Sequence, residues 1–468
     1  MIAKLGSGSE RVGGGVATAR EGPTPRSPAP RRSTYGRNFG LNFVGNIGYA
    51  ATQYALLVIL ARLGSPEMVG QYSLALALAA PVFMFTNARL AALLATDAGR
   101  VHGFDEYLSA RLLATALGSA AVLAAGAATG YRGPVLVTLA LVTAAKAIES
   151  VSDVCYGYLA LREAFAWQTA SLLVRGLGAV AAAAVAAVFT HNLMWIAGCI
   201  AGVWLAALIL LDLPGLARLA ASDPVPDRAP SGQGSSARRR IHIDRRTWHL
   251  LWAATPLGFV ALAASLSVSL PRVVIERELG ARSLGYFSAL AYLVVGGRMV
   301  AIALGSAAAP RLGRYYVARD RAAFIRTLVG LVSFGASLGA VGVLLAVTLG
   351  GPMLRLLYGG DYARFAPLLV WLMTAAGLGY VSTYLQDSLT TARNLVPKAV
   401  LLAGVATSSG LLAAWLVPRD GLQGAAVAVC AAGAVEVIGS ALLVWAVLRK
   451  FNAPPLDARA RTALSSNA

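Results

Sequence analysis

Twelve stretches of this chain stay apolar for close to the twenty residues that a helix needs to cross a lipid bilayer. They fall at residues 39–60, 69–95, 108–130, 133–159, 166–189, 193–213, 247–271, 284–306, 325–349, 363–386, 397–417 and 421–447. Hydrocarbon offers the backbone no hydrogen-bond partner, so only helices and closed barrels span it, and runs of this length select helices. The expected fold class is therefore an all-α integral membrane protein with twelve transmembrane helices. Composition agrees: 13% of the 468 residues are charged, against about 25% in a soluble chain.

The formal net charge of +19 would point to nucleic acid in a soluble domain. Here its distribution reports topology instead. With a cytoplasmic N-terminus, one side of the membrane receives Arg31, Arg32, Arg37, the run Arg238-Arg239-Arg240, Arg245 and Arg246. The same side receives Arg311, Arg314, Arg319, Arg321, Arg326, Arg393, Lys398, Arg449 and Lys450. The other side holds chiefly Arg62, Arg132, Arg355, Arg364 and Arg419. The connection at 272–282 is an exception with three arginines, although Glu276 and Glu278 sit among them. The excess of basic residues on one side places both termini in the cytoplasm and implies no nucleic-acid partner.

Residues 1–37 are rich in Gly, Pro, Ser and Arg and lack the apolar core of a signal peptide, so they read as a disordered basic cytoplasmic tail. A six-helix unit follows at 38–213, then a basic Pro/Ser/Gly-rich cytoplasmic linker at 214–246. A second six-helix unit occupies 247–450, and a cytoplasmic tail 451–468. An internal repeat supports this division. Leu63-Gly64 to Gly70-Gln71-Tyr72-Ser73 recurs, one residue shorter, as Leu279-Gly280 to Gly285-Tyr286-Phe287-Ser288. Each copy joins the first and second helix of its half. Six spans per half means that both halves enter from the same side, as parallel repeats with a binding site between them.

The polar residues inside the spans are candidates for that site. Lys146, Glu149, Ser150 and Asp153 lie at i, i+3, i+4 and i+7 and share one helix face. An ionisable side chain at mid-bilayer costs about 2.5–3.5 kcal/mol on insertion scales, so the stripe faces protein or water. One reading makes it the lining of a polar cavity; another makes Lys146 and Glu149 a structural pair that neutralises itself. Asn42, Asn46, Tyr49 and Gln53 form a second stripe, suited either to the cavity or to helix–helix hydrogen bonds. Arg89, Arg175, Arg298 and Glu436 complete the set, with Pro81 and Pro256 as expected bends. Four cations (Arg89, Lys146, Arg175, Arg298) stand against three carboxylates (Glu149, Asp153, Glu436). A surplus of guanidinium suits an anionic passenger, because it pairs bidentately with phosphate and keeps its charge.

Enzyme signatures are missing. The sequence has no phosphate-binding P-loop and no HExxH; each would announce a specific chemistry. His102, His191, His242 and His249 are scattered, and Cys155, Cys199 and Cys430 lack metal-ligand spacing. No metal, cofactor or catalytic residue is expected.

Three stretches resemble a known family. They are Asn38-Phe-Gly-Leu-Asn42-Phe-Val-Gly-Asn46 through the Leu63-Gly64 turn to Pro81; the run from Met353 through Tyr358-Gly359-Gly360-Asp361-Tyr362 to Leu369; and Gly421-Leu-Gln-Gly424-Ala-Ala. With the twelve-span plan, they are similar to the polysaccharide-unit flippases of the multidrug/oligosaccharidyl-lipid/polysaccharide exporter superfamily, over about residues 38–450. The resemblance implies a MATE-like fold of two six-helix bundles in a V around a central cavity. It implies a polyprenyl-diphosphate-linked oligosaccharide carried from the cytoplasmic to the outer leaflet of a bacterial inner membrane, for O-antigen or exopolysaccharide synthesis. A polysaccharide polymerase and chain-length machinery would be partners, with membrane lipid around it.

On this reading Arg89, Lys146, Arg175, Arg298, Asn42, Asn46 and Gln53 contact the substrate. Glu149, Asp153 or Glu436 couples transport to an ion. A multidrug/cation antiporter of the same fold is the alternative, and it would favour an acidic cavity. A non-transporting membrane scaffold for glycan assembly is a third reading, in which the linker arginines dock anionic lipid or a partner.

Overall fold

The computed structural model describes residues 32–87, 90–96, 103–221, 245–392 and 394–450. They form α1 (Arg32–Leu63), α2 (Pro66–Asn87), α3 (Leu90–Thr96), α4 (Phe104–Ala128), α5 (Pro134–Leu161), α6 (Phe165–Thr190) and α7 (Leu193–Ala207). A π-helical turn (Leu208–Asp212) leads into α8 (Leu213–Ala221). Beyond the linker come α9 (Arg245–Val317), α10 (Arg321–Tyr358), α11 (Gly360–Ala363), α12 (Ala366–Thr391) and α13 (Leu395–Lys450). Ten helices among the described residues are long and apolar enough to cross a bilayer. The chain is a multi-pass membrane protein of the all-α class.

Two of these ten are far longer than a bilayer requires. α9 has 73 residues, which as a straight rod would run roughly 110 Å at 1.5 Å per residue. It breaks at Gly280, with φ 80° and ψ 171°, and the guanidinium of Arg272 then lies 5.9 Å from the ring of Tyr292. Contact across twenty residues requires that the chain has reversed. α13, of 56 residues, breaks likewise at Gly421, with φ 59° and ψ −136°, and Gly424 comes back against the carbonyl of Leu416. Positive φ costs a residue without Cβ little, so a single glycine makes each turn. The expected twelve runs meet ten apolar helices because these two turns are too tight to part their limbs.

Other ends differ from expectation by a turn or two. α1 is already helical at Arg32, and the sixth run continues through the π-helical turn to Ala221. The first limb of α9 carries on to Gly280, so Arg272 and Glu276 belong to a helix rather than to a connection. Tyr358-Gly359-Gly360 is a turn, with Gly359 at φ 109° between α10 and α11. Arg31, the linker arginines Arg238, Arg239 and Arg240, and Arg393 lie outside the described residues.

Packing explains how the halves sit. At the end of the bundle opposite the linker, one core draws on both halves. It contains Leu60, Val69, Leu139, Ala187 and Ile196 from the first half, and Ile275, Leu284, Leu354, Tyr362 and Val417 from the second. Toward the linker the cores are separate. Leu90, Phe104, Tyr107, Val154 and Tyr158 make one, into which α9 sends Leu250 and Ala254. Ala301, Leu312, Phe324, Tyr384 and Val447 make another, wholly from the second half. A core shared at one end and two distinct cores at the other, with the first limb of α9 lying in one of them, describe a V closed on the far side from the linker.

The repeated turns meet at the joined end. A Cβ on Gly70 would run into the carbonyl of Ala281, and one on Gly285 into the carbonyl of Pro66. Each copy of the turn thus packs its glycine on the backbone of the other. The positions that follow in the repeat match too: Tyr72 with Phe287 and Ser73 with Ser288, all four buried.

Candidate functional site

α5 carries the central cluster of the first half. Lys146 Nζ lies 2.7 Å from Glu149 Oε2, and Tyr49 on α1 donates its hydroxyl to Glu149 Oε1 at 2.9 Å. Arg175 on α6 approaches the same oxygen at 3.7 Å. The guanidinium of Arg175 is flanked by the rings of Tyr49, Tyr156 and Trp204, the last at 4.9 Å. It is 1% exposed, while Lys146 and Glu149 keep about a quarter of their side chains exposed, 27% and 26%. Aromatic faces are negative, so they compensate a desolvated cation. Arg175 is a buried clamp on Glu149, and Lys146 and Glu149 are the outward members of the group.

One turn toward the linker, Asp153 pairs with Arg111 of α4 at 3.0 Å. Arg111 is fully buried and Asp153 is 44% exposed. Arg111 and Ser150 both donate to Oδ1 of Asn87 on α2, the latter at 2.9 Å. The expected tally of charges passed over Arg111, which lies close enough to Asp105 and Glu106 to read as an interfacial residue. It also passed over Asp212. That carboxylate is fully buried at the π-helical turn, accepts from Ser171, and has one oxygen without a partner. With these two included, the described in-span charges of the first half balance: Arg111, Lys146 and Arg175 against Glu149, Asp153 and Asp212. The surplus of cations is therefore not a property of this half. Arg89 lies outside the described residues.

The amide stripe of α1 has two fates. Tyr49 is tied to Glu149, and Asn46 donates to the backbone and side-chain oxygens of Asn42, both at 2.8 Å. Asn46 is exposed, and Asn42 and Gln53 are half-buried. The adjacent face of α1 packs on α6: Gly45 sits against Thr169, Gly48 against Leu173, and Thr52 against Gly176. Thr169 also donates to the Leu41 carbonyl at 2.8 Å.

In the second half, Glu436 of α13 accepts from Ser382 at 3.1 Å and from Gln386, both on α12. Arg298 is exposed and within electrostatic reach of Glu436 and Tyr380, with no ion pair among the described residues. Lys398 donates to Thr390 at 2.9 Å. The predicted residues therefore fall into two separate groups, one around Glu149 and one around Glu436. Among the described residues, no three of His, Cys, Asp and Glu gather as metal ligands would.

The closed end is held by polar contacts between the halves. Arg62 at the end of α1 donates to the last carbonyls of α10: to Leu357 at 2.9 Å, to Arg355 at 3.2 Å, and to Leu356. The Arg355 carbonyl also accepts from the Gly359 N–H at 3.1 Å, whereas carbonyls at a helix end otherwise lack an intrahelical donor, and a cation there also answers the helix dipole. Glu67 meets Arg282 at 3.3 Å. Tyr131, in the turn between α4 and α5, donates to Glu276 Oε2 at 2.5 Å. Burial, and then the Glu276 carboxylate beside it, push the Tyr131 hydroxyl up to about 12, so it keeps its proton at neutral pH.

Comparison with known proteins places this geometry. The chain is 26% identical, over 329 residues, to the capsular polysaccharide biosynthesis protein CapF of Staphylococcus aureus, covering 70% of this chain and 78% of that protein. Its structure is similar to the inward-facing conformation of a multidrug resistance MATE family transporter of the MOP superfamily. The TM-score is 0.66 at 13% identity, over 86% of this chain and 96% of the other. It is also similar to the lipid II flippase MurJ in its inward closed conformation, with a TM-score of 0.65 at 13% identity, over 88% and 89%. No family model matches the chain. The chain has the fold shared by the MATE transporters and MurJ.

Proposed function

We propose that this protein is a flippase for polyprenyl-diphosphate-linked polysaccharide repeat units in the bacterial inner membrane, with both termini cytoplasmic. The observation that carries the reading is the pairing of a V, whose halves share a core at the end away from the basic linker and are tied toward it through the first limb of α9, with ionisable side chains inside both halves. An apolar bundle holds such charges at a cost unless they serve a path. CapF supports the polysaccharide, and MurJ supports a lipid-linked cargo. The long helices α9 and α13 are read as two spans each, giving six per half.

In this cycle the open side of the V faces the cytoplasm, where basic residues concentrate. The diphosphate enters between the halves, Arg298 and Lys146 offering positive charge, and Asn42, Asn46 and Gln53 offering amides to the sugars. Arg89 joins them on the strength of its sequence position alone. Arg175 acts through Glu149, which it holds in place. Asp153 and Glu436 are the carboxylates that exchange an ion during the cycle, Asp153 being the more exposed of the α5 acids. The joined end then parts and releases cargo to the outer leaflet, where a polymerase and chain-length machinery take it up.

Deleting the gene tests this. The expected result is loss of surface polysaccharide with lipid-linked units accumulating on the cytoplasmic face, restored by the wild-type gene. Intact polysaccharide together with new drug sensitivity would replace this reading with an antiporter.

A further inference from the structure

Every described in-span cation of the first half meets a carboxylate: Arg111 meets Asp153, and Lys146 and Arg175 meet Glu149. Arg272 does not. It stands in the first limb of α9, eight residues before the Gly280 turn. Its Nε is buried without a hydrogen-bond partner. No acid and no acceptor reaches its guanidinium among the described residues, and its one close companion is the face of Tyr292 at 5.9 Å. The side chain as a whole is half-buried rather than sealed. Leaving a guanidinium partly desolvated and unpaired is costly, and a ring on one side offsets only part of that.

Its position gives the isolation a use. Val273, Val274 and Tyr292 pack on the core that joins the halves, so Arg272 stands at the inner border of the closed end of the V. Tyr72 of α2 is within electrostatic reach of both Tyr292 and Glu149. Arg298 stands on the second limb of α9, ten residues further from the turn than Arg272. That is roughly 15 Å nearer the linker end at 1.5 Å per residue.

We propose that Arg272 receives the diphosphate of the cargo at the closed end of the V. The two phosphates present several anionic oxygens, which a planar guanidinium fork binds bidentately. The ring of Tyr292 supports the face that the anion leaves free. Arg298, further down the same helical hairpin, meets the headgroup earlier on its way in. This deepens the flippase reading and rests on it, and it makes α9 the anion-bearing element of the molecule.

Farnesyl diphosphate is the probe, with farnesol as the uncharged control, binding to purified full-length protein in detergent. Wild type is expected to bind the diphosphate more tightly than the alcohol, and inorganic pyrophosphate to compete. Arg272→Ala is expected to weaken diphosphate binding at least tenfold and Arg272→Lys by less, with farnesol binding unchanged. Arg132→Ala, which removes an exposed arginine from the turn before α5, is expected to change nothing.

A second measurement needs no variant. Phenylglyoxal modification of wild type, mapped by peptide mass, is expected to show Arg272 reactive alone and protected by farnesyl diphosphate. Arg272→Ala binding within twofold of wild type would overturn the assignment, as would an Arg272 that is unreactive alone or equally reactive with ligand. If Arg298→Ala weakens binding while Arg272→Ala does not, the flippase reading stands and only this site falls. If wild type prefers farnesol or binds neither, the anionic cargo falls with it.

Discussion

Gly70 and Gly285 occupy matching positions in two copies of one turn, and each rests on the backbone of the other copy, at Ala281 and Pro66 respectively. An approximate two-fold relation thus runs through the closed end of the V. A side chain at either position has to displace main chain, which cannot swing aside as a flexible side chain does. Gly70→Ala and Gly285→Ala are each expected to destabilise the closed end by about 1–3 kcal/mol, the usual range for overpacking. Melting in detergent measures it, and an unchanged midpoint in both variants would remove the glycines' structural role.

Arg62→Ala takes the Arg62 donor from the Leu356 and Leu357 carbonyls at the end of α10, while Arg355 keeps the Gly359 N–H. Hydrogen bonds from a charged group contribute about 1.5–3 kcal/mol net, and the exposure of Arg62 favours the lower figure. The expected result is a larger population open on the outer side. It is read as faster labelling, from outside the cell, of a cysteine substituted for Leu357. Equal labelling rates with and without Arg62 would count against the cap.

Tyr131 contributes to the same closure with a distinct pH signature. Its hydroxyl is raised above the ordinary tyrosine value of about 10 to about 12, so the neutral donor is favoured when the end is closed. The contribution is complete below about pH 10 and declines as pH rises toward 12. Tyr131→Phe is expected to abolish that alkaline loss, leaving a flatter stability profile between those values in purified protein.

Glu149 answers to two cations, and Glu149→Gln leaves both uncompensated. Breaking a buried pair from one side costs about 3–5 kcal/mol; the partial exposure of Lys146 points to the lower end. Lys146→Met combined with Glu149→Gln is expected to recover part of that loss, a coupling that a double-mutant cycle in thermal stability resolves. Strict additivity of the two changes would show that the pair is not coupled.

Arg175 and Arg298 look alike in the sequence but should fail differently. Arg175→Ala empties a site enclosed by three rings and is expected to lower the amount of folded protein. Arg298→Ala, at an exposed position, is expected to lower surface polysaccharide at a normal protein level. Quantitative blotting beside a polysaccharide assay separates the two outcomes.

Much of the architecture was written in hydrophobic run length. Spans announce themselves because a bilayer demands twenty apolar residues in a row, and Gly280, Gly359 and Gly421 mark turns because few other residues tolerate their φ. The repeat around Gly70 and Gly285 was visible as a pattern, but nothing in one dimension says that its copies touch. The site was less legible. Lys146 and Glu149 share a helix face and their pairing could be foreseen, whereas Arg111 and Asp153 come from different helices, 42 positions apart. Arg175 reads as a lone charge until the fold surrounds it with Tyr49, Tyr156 and Trp204. Arg272 was hidden by a boundary, since a helix that turns on one glycine has no polar loop to mark its end.

α9 takes part in all three of the large packing units: through Leu250 and Ala254 in one, Ile275 to Leu290 in the next, and Ala301 to Leu312 in the last. It therefore acts as a tie rod, and the two arms cannot swing apart without flexing it. Pro256 and Pro271, each lacking one amide hydrogen of the helical ladder, lie on the limb that crosses from one arm to the joined end. That limb is where bending stress would gather during a stroke, and stiffening it should slow the machine without altering what it grips.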